Sequence, residues 1–327
     1  MKTEIRALSF PELSAELSKK QDSLILFHTR PDADAVGSAY ALKLLIEALG
    51  AKAFCLCSDE LPRRLRFLTD SFDRLDSVGD VDTYRIITVD CGAASQIGAL
   101  YERLKPSLAI DHHRTATPFC DGYTDSSAAA TAEIIYEVSQ DMLKKGVVSS
   151  LPRRFYECIY AAISSDTGSF RYSNATPKTH TIAAEILARG VDAAAINHNL
   201  FESKTLSELR AIAAATDHLT SYRDGRIAVV ALSAEQLSKL EIERENYDVF
   251  IDVARSLAGA DVAFSVRCAP GDRFCRVSMR SCNDVDVSRI CAAFGGGGHI
   301  RAAGCTVEDD DVSRVVQMIV KEIEKQL

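Results

Sequence analysis

The sequence predicts an α/β protein with a mostly parallel, doubly wound sheet domain, joined by a helical connector to a smaller α/β domain. In the first half, short apolar runs of strand character alternate with helical patterns, which is typical of a parallel sheet with helices on both faces. Near residue 220 the pattern changes to three further strand-like runs and one helix. A chain of 327 residues also exceeds the usual size of a single core. We therefore expect domains at 1–195 and 221–327, with the connector at 196–220.

The elements of the first half follow from apolar runs and from glycines that end helices. An amphipathic stretch at 1–21 predicts an N-terminal helix. The predicted strands are Ser23–Phe27, Lys52–Cys57, Arg85–Val89 and Ser107–Ile110. The predicted helices are Gly37–Leu49 before Gly50, Ala128–Lys145 before Gly146, Pro152–Ser164, and Lys178–Ala188 before Gly190. Glycine is favoured at these helix ends because it adopts the left-handed conformation without steric cost.

The second half begins with a helical segment that is polar on one face, Asn197–Leu219, which we interpret as the connector. Three strands and a helix are predicted beyond it, at Arg226–Leu232, Val262–Cys268, Phe274–Ser281 and Val287–Ala293. The helix leads into the glycine-rich stretch GGGGHIRAAG.

Composition and charge exclude several classes of protein. The formal net charge of −8 argues against a protein that coats duplex DNA. No apolar run approaches the roughly 20 residues that a membrane-spanning helix needs, and the N-terminus lacks the apolar core of a signal peptide. The ten cysteines are scattered and form no CxxC motif, which favours reduced thiols in a cytoplasmic protein.

Acidic and imidazole side chains follow four of the apolar runs. His28 ends the first strand, with Asp32 and Asp34 in the loop before the helix that we expect to begin at Gly37. Asp90 ends the third strand, the fourth leads into the run Asp111-His112-His113, and Asp166 follows the apolar segment 161–165. Singly, such an aspartate is commonly a turn residue or a helix cap. Because ligands bind beyond the carboxyl ends of strands in such sheets, we expect these side chains to converge.

Four aspartates with two histidines form a set of oxygen and nitrogen donors that suits divalent metal ions. Manganese is favoured over zinc because no thiolate joins the set. The number of ligands is sufficient for two ions that share one carboxylate. Two ions about 3.5–4 Å apart stabilise both the attacking and the leaving oxygen in phosphoester cleavage. The predicted cofactors are therefore two divalent ions, with Mn²⁺ preferred.

The motifs HTRPDADAVGS, VDCG, DHH and SDTGSFRY, in this order, resemble the four motifs of the DHH phosphoesterase family. GGGGHIRAAG resembles the signature of the DHH-associated C-terminal domain that accompanies it. The resemblance extends from His28 to Gly304, and no ligand position departs from the pattern. Chain length and the RPDADAVGS variant are most similar to the nanoRNase/pAp-phosphatase subgroup.

The resemblance implies a role for each residue of the motifs. The first ion would be held by His28 and Asp32, the second by Asp34, His112 and Asp166, with Asp90 bridging the two. Asp111 would orient an imidazole through its ring N–H, and His113 would face the scissile phosphate. The sequence alone leaves open which of the adjacent histidines binds metal. Asp90, Asp111 and His113 are the catalytic candidates, and water is the implied nucleophile.

The glycine run at 295–298 is read either as a flexible linker or as an anion-binding loop. Its position inside a domain favours the second reading, because successive glycines let backbone N–H groups turn toward an anion. Six arginines and three aspartates between residues 262 and 305 make this region locally basic. Arg280 and Ser281 match the family's substrate-binding segment, whereas Arg267, Arg273 and Arg276 are compatible with a solvated strand face. The candidate substrate-binding residues are Arg280, Ser281, Gly296, Gly297, Gly298, His299 and Arg301.

The expected function is metal-dependent hydrolysis of short oligoribonucleotides to nucleoside 5′-monophosphates, with dephosphorylation of 3′-phosphoadenosine 5′-phosphate (pAp) as a second activity. The first domain would carry the metals and the second would grip a phosphate, in a cleft that favours short substrates over duplex DNA. The enzymatic alternative is a phosphodiesterase for cyclic di-AMP or linear dinucleotides. The non-enzymatic alternative is a catalytically inactive nucleotide-binding protein, but all six ligands are present. The expected partner is a short RNA or nucleotide, without duplex DNA or membrane, and a homodimer is left open.

Overall fold

The computed structural model describes residues 5–327, apart from the side chains of Glu245 and His299. The chain divides into two compact units, Met1–Ser203 and Lys204–Leu327. The stretch predicted to form the N-terminal helix includes residues 1–4, which lie outside the described residues. Its described part forms the helix α1, Phe10–Leu17.

The described residues of the first unit form five strands, and six more helices follow α1. The strands are β1 Ser23–Leu26, β2 Ala53–Leu56, β3 Arg85–Val89, β4 Leu108–Asp111 and β5 Gly122–Thr124. The helices are α2 Ala33–Ala48, α3 Leu100–Arg103, α4 Thr131–Lys144, α5 Arg153–Asp166, α6 Pro177–Ala188 and α7 Ala193–Asn197. Short 3₁₀ turns occur at Arg63–Leu65, Leu75–Ser77, Val81–Thr83 and Ala94–Ile97, and a π-helical turn at His198–Glu202.

The five strands form one parallel sheet in the order β2-β1-β3-β4-β5. Alternate residues of β1 point to opposite faces, so that Ile25 packs into one core and Leu24 into another. The first core also contains the buried faces of α2, α4 and α5. The second is closed mainly by short turns and α3. The predicted fold class is confirmed, although the two faces of the sheet are covered unequally.

The strand order creates a crevice at one edge of the sheet. The chain passes from β1 to β2 on one side, whereas β3 pairs with β1 on the other side. At such a reversal the connections leave the neighbouring strands in opposite directions and open a ligand site beyond their carboxyl ends. The residues that follow β1, β3 and β4 therefore meet at this point.

The helix α2 begins at Ala33, and the prediction that it begins at Gly37 is wrong. Asp32 is its N-cap, since Asp32 Oδ1 accepts a hydrogen bond of 3.0 Å from the Ala35 N–H. Asp34 therefore lies in the first helical turn and not in a loop. Gly37 allows close packing instead, because a Cβ at this position would lie 2.6 Å from the carbonyl oxygen of Cys158 in α5.

The second unit contains a mixed sheet with helices on both faces. The strands are β6 Leu219–Tyr222, β7 Ile227–Leu232, β8 Val262–Arg267, β9 Cys275–Ser281, β10 Gly297–His299 and β11 Ala302–Val307, in the order β10-β11-β9-β8-β7-β6. The helices are α8 Leu206–Asp217, α9 Ala234–Ser238, α10 Val249–Arg255, α11 Val287–Ala292 and α12 Val312–Glu324, with a 3₁₀ turn at Arg244–Asp248. One core contains α8 and α10, and the other contains α11 and α12.

The segment predicted as a connector is shared between the two units. Its π-helical turn belongs to the first unit, whereas α8 buries Ala211 and Ala215 in a core of the second. The domain limits given above remain predictions.

The ten cysteines are free thiols. Within the described part of the chain, no helix has both the length and the apolar character needed to cross a bilayer.

Candidate metal centre

The first group of candidate ligands lies beyond the carboxyl end of β1. The Nδ1 atom of His28 is 2.8 Å from the Thr29 carbonyl oxygen. A proton on Nδ1 makes this hydrogen bond and leaves the lone pair of Nε2 directed to the site. Nε2 lies 3.8 Å from Asp32 Oδ1 and 3.5 Å from Asp90 Oδ2. His28, Asp32 and Asp90 thus place one donor atom each within 4.8 Å of one another.

The second group combines residues from α2, α5 and the end of β4. His112 Nε2 lies 3.8 Å from Asp34 Oδ2 and 3.3 Å from Asp166 Oδ2. The Nδ1 atom of His112 faces the Ala128 carbonyl oxygen at 3.3 Å. Asp166 is the last residue of α5, so this ligand comes from a helix end rather than from the sheet edge where the sequence placed it. These three side chains form a second cluster within 4.8 Å.

Asp90 lies between the two groups and turns a different oxygen to each. Oδ2 is 3.5 Å from His28 Nε2, and Oδ1 is 3.6 Å from His112 Nε2. The residue is buried, with 2% of its surface exposed, and its φ is 56°. A left-handed conformation outside glycine is uncommon and concentrates at functional sites. The geometry suits a carboxylate shared by two ions.

The two adjacent histidines have different surroundings. His112 faces the carboxylates of the second group, whereas His113 Nδ1 is 2.7 Å from Asp111 Oδ1. This hydrogen bond outweighs burial and raises the pKa of His113 to about 9. Asp111 is itself buried, and within the described residues its Oδ2 has no hydrogen-bond partner. His113 also lies near Asp90 and His112, in a third cluster within 4.8 Å.

The centre carries more negative charge than its histidines neutralise. Burial raises the pKa of Asp34 well above its ordinary value, and the carboxylates of Asp90 and Asp32 raise it further. Burial also raises the pKa of Asp166, with Asp34 as the next cause. Burial opposes protonation of His28, but its hydrogen bonds to Asp32 and Asp90 raise its pKa to about 11. Burial likewise opposes ionisation of Asp32, yet His28 lowers the pKa of that carboxyl group.

These features fit divalent cations. Two donors on one ion, with bonds of about 2.1 Å, lie roughly 3.0–3.4 Å apart, and the histidine–carboxylate separations within the two groups are 3.3–3.8 Å. Protons held by the buried groups would be released as metal binds. Asp166 adds a further reason, because a carboxylate at the C-terminus of a helix opposes the helix dipole unless a cation accompanies it. The first two groups contain the residues that the family resemblance assigns to the two ions.

Two residues of the centre are absent from the sequence-based predictions. Ser38 donates a hydrogen bond of 2.8 Å to Asp34 Oδ1 from one turn along α2. Thr131, at the start of α4, donates its N–H to Asp34 Oδ2 at 2.7 Å and its hydroxyl to Asp90 Oδ1 at 3.0 Å. Ser38 lies four residues after Asp34 in the same helix, and this spacing could have indicated the contact. No local pattern links Thr131 to Asp34 and Asp90, which are distant from it in sequence.

The candidate substrate-binding residues lie together at one end of the second unit's sheet. Ala302 of β11 pairs with Arg280 of β9 on one side and with His299 of β10 on the other. The Ser281 N–H donates to the Arg301 carbonyl oxygen at 3.1 Å. Arg280 is partly buried and its Nη1 donates to the Met279 carbonyl oxygen at 2.9 Å. The predicted role of the His299 side chain lies outside the described residues.

The glycines of this region have a packing role of their own. A Cβ on Gly296 would overlap the Gly304 carbonyl oxygen, and one on Gly298 would lie 2.5 Å from the Ala302 carbonyl oxygen. Gly297 borders open space. Close approach of β10 to β11 thus accounts for glycine at 296 and 298, while anion binding by Gly296, Gly297 and Gly298 remains a prediction.

Comparison with known families identifies both halves of the chain. The sequence model of the DHH family, N-terminal domain, matches residues 23–163. The model of the DHHA1 domain matches residues 224–326. The two matches fall in the first and second units respectively.

Relatives of similar length share both halves. The bifunctional oligoribonuclease and PAP phosphatase NrnA of Thermus thermophilus is 28% identical over 321 residues, which cover 96% of this chain and 94% of that protein. NrnA of Bacillus subtilis is 28% identical, covering 90% of this chain and 93% of that protein. The crystal structure of an exopolyphosphatase-related protein from Bacteroides fragilis superposes with a TM-score of 0.87 at 21% identity, covering 99% and 98% of the two chains. This last similarity establishes the fold.

Proposed function

Because the chain belongs to the DHH family and carries a DHHA1 domain, we propose that it hydrolyses short oligoribonucleotides to nucleoside 5′-monophosphates and dephosphorylates pAp. It is a metal-dependent phosphoesterase. The observation that carries the proposal is the arrangement of two ligand groups on either side of Asp90. The full-length similarity to two NrnA proteins, named for both activities, supports this substrate class.

Six residues would hold two divalent ions, with Mn²⁺ preferred for a set of oxygen and nitrogen donors without thiolate. They are His28, Asp32, Asp34, Asp90, His112 and Asp166. When bound, the ions would supply an activated water and stabilise the charge that develops on the phosphoester. Asp34 and Asp90 are buried and accept hydrogen bonds from Thr131, so these two ligands need little rearrangement.

His113 is the candidate for direct contact with the substrate. Its ring is partly exposed, with 36% of the side chain accessible, and Asp111 holds Nδ1. This hydrogen bond leaves Nε2 to donate to a phosphate oxygen or to the leaving oxygen. The charge on a protonated imidazole strengthens such a hydrogen bond.

The second domain would bind a phosphate of the substrate through Arg280, Ser281, His299, Arg301 and the glycines at 296–298. Arginine suits this role because its planar fork matches phosphate oxygens. No group that would read a base is identified among these residues, so they indicate no preference for a particular nucleotide.

A substrate panel tests the proposal. The full chain is incubated with Mn²⁺, with and without excess chelator, and with a linear diribonucleotide, a longer RNA, pAp or cyclic di-AMP, and the products are separated by chromatography. We expect release of mononucleotides from the diribonucleotide and of phosphate from pAp, both abolished by the chelator. Preferential turnover of cyclic di-AMP would instead support the alternative phosphodiesterase. The absence of metal-dependent turnover on every substrate would refute the enzymatic assignment.

A further inference from the structure

One residue at the start of α4 contacts carboxylates from both ligand groups. The Thr131 N–H donates to Asp34 Oδ2 at 2.7 Å, and the Thr131 hydroxyl donates to Asp90 Oδ1 at 3.0 Å. Thr131 is fully buried. It therefore links two candidate ligands that come from α2 and from the end of β3.

The backbone contact makes Asp34 the cap of a helix to which it does not belong. The N-cap position of α4 is Ala130, whose side chain cannot accept a hydrogen bond. Asp34 accepts from the Thr131 and Ala132 N–H groups, at 2.7 and 3.2 Å. Free N–H groups at a helix N-terminus favour a carboxylate as partner, and these two hydrogen bonds hold the carboxyl group of Asp34 in one orientation.

The hydroxyl contact acts on the carboxylate between the groups. Asp90 Oδ1, which accepts from Thr131, is also the oxygen that faces His112 Nε2 at 3.6 Å. Asp90 Oδ2 faces His28 instead. A hydrogen bond to Oδ1 fixes the rotation of the carboxylate and keeps one oxygen directed to each group.

We propose that Thr131 is a positioning residue for the metal centre, which holds Asp90 through its hydroxyl while its N–H holds Asp34. The inference rests on the two-ion centre of the proposed function. Because the hydroxyl contacts the oxygen on the His112 side, its loss weakens binding of the ion held by Asp34, His112 and Asp166 more than binding of the other ion.

Calorimetric titration of the metal-free full chain with Mn²⁺ tests this without any substrate. Thr131→Val and Thr131→Ala remove the hydroxyl, and Thr131→Ser retains it. The matched control is Thr88→Val, since Thr88 is also buried, precedes Asp90 by two residues in β3, and has a hydroxyl without a hydrogen-bond partner among the described residues. Loss of a group that orients a metal ligand costs about 10- to 100-fold in metal affinity.

We expect the wild-type chain, Thr131→Ser and Thr88→Val to bind two Mn²⁺ ions with similar affinities. Thr131→Val and Thr131→Ala should bind one ion about 10- to 100-fold more weakly, with circular dichroism spectra like that of the wild type. Unchanged binding by Thr131→Ala or Thr131→Val, or equal weakening in Thr88→Val, would overturn the inference. So would weak binding by Thr131→Ser, or a wild-type chain that binds no Mn²⁺.

The outcome separates this inference from the proposed function. A wild-type chain that binds two ions but hydrolyses no substrate of the panel would refute the function. The relative Mn²⁺ affinities of the variants would still establish the role of Thr131. An active wild-type chain with unaffected hydroxyl-free variants would refute the role of Thr131 alone.

Discussion

At the scale of single residues, Asp90 combines three properties that seldom occur together. It is buried, it has a left-handed backbone, and its two oxygens face imidazoles from different groups. Burying a carboxylate costs free energy unless opposite charge or hydrogen bonds compensate. The Thr131 hydroxyl provides part of this compensation, and the two divalent ions of the proposed function would provide the rest.

Asp90→Asn should abolish turnover. The amide keeps the shape of the side chain but removes its charge and places an N–H₂ group where an oxygen ligand is needed. Loss of a residue that merely hydrogen-bonds a metal ligand lowers metal affinity or activity about 10–100-fold, so loss of the ligand itself should lower the rate more than about 100-fold. Initial rates on a diribonucleotide, with Mn²⁺ content from elemental analysis, measure the effect.

The matched control is Asp76→Asn, at an exposed aspartate that pairs with Arg74 at 3.2 Å. This variant should retain wild-type rates and metal content. Near-normal turnover in Asp90→Asn would mean that Asp90 is not the shared ligand.

The sequence predicted which candidate ligands would lie close together, but not the hydrogen bonds that fix their orientation. His28 and Asp90 were predictable because each follows an apolar strand whose end is marked by the change to polar residues. Thr131 was not, because its partners Asp34 and Asp90 are remote in sequence and meet it only through tertiary packing. The assignment of residues to individual ions remains a prediction.

At the scale of elements, the packing of α2 against α5 sets the spacing between Asp34 and Asp166. A Cβ on Gly37 would lie 3.0 Å from the Ala162 Cβ and 2.6 Å from the Cys158 carbonyl oxygen. Gly37 is one turn after Asp34, and Ala162 is one turn before Asp166. A change in the distance between the two helices at Gly37 would therefore change the distance between Asp34 and Asp166.

Gly37→Ala should lower both stability and metal affinity. Alanine favours a helix over glycine by up to about 1 kcal/mol, but overlap with the backbone of α5 should cost about 1–3 kcal/mol and dominate. Urea denaturation measures the free energy of unfolding, and Mn²⁺ titration measures the affinity. Glu47→Ala, on the exposed side of α2, is the control, and equal behaviour of the two variants would contradict the argument.

Local signals account for the elements that were predicted correctly and for the error in α2. Apolar runs and terminal glycines located β3 and the end of α6. Pro31 and Gly37 are residue types that are common in turns, so the local sequence did not indicate a helix between them. The helix nevertheless begins at Ala33, because Asp32 caps it and Gly37 leaves space for α5. The short strand β5 was not predicted, because its three residues are defined by pairing with β4 and not by a pattern of their own.

At the scale of the molecule, the candidate metal ligands and the candidate phosphate-binding residues lie in different units. The candidate metal ligands belong to the first unit, whereas the second contains the locally basic segment around Arg280. This division separates metal binding from substrate binding in the proposed function.

Arg280→Ala should weaken substrate binding and leave metal content unchanged. One charge-assisted phosphate contact is worth roughly 1.5–3 kcal/mol, so KM should rise about 10–100-fold. Arg276→Ala is the matched control, because Arg276 lies on the same face of β9 and packs near the Phe274 ring. Loss of Mn²⁺ from Arg280→Ala would contradict the division of roles.

The metal-free chain should lose stability as pH rises. The pKa of His28 is raised from its ordinary 6.5 to about 11 and that of His113 to about 9. Each contributes stability that is fully present below pH 6.5 and is lost as pH rises through its folded pKa. The raised pKa values of Asp34 and Asp166 act in the same direction.

Mn²⁺ should reverse this trend, because fewer protons compete for the ligands at higher pH. The increase in Tm caused by Mn²⁺ should therefore be larger near pH 8.5 than near pH 6, each relative to a sample with chelator. Thermal denaturation followed by circular dichroism measures it. A constant increase across this range would show that protons do not compete with the ions.

The positions of the candidate ligands along the sequence have a consequence for synthesis of the chain. The ribosome releases His28, Asp32 and Asp90 with the first half of the first unit, whereas Thr131 and Asp166 emerge with its second half. Domains fold as units, beginning with the N-terminal one. A nascent chain that stops before Asp166 thus contains one complete ligand group and an unfinished second. Under the proposed function, binding of both ions would therefore follow completion of the first unit.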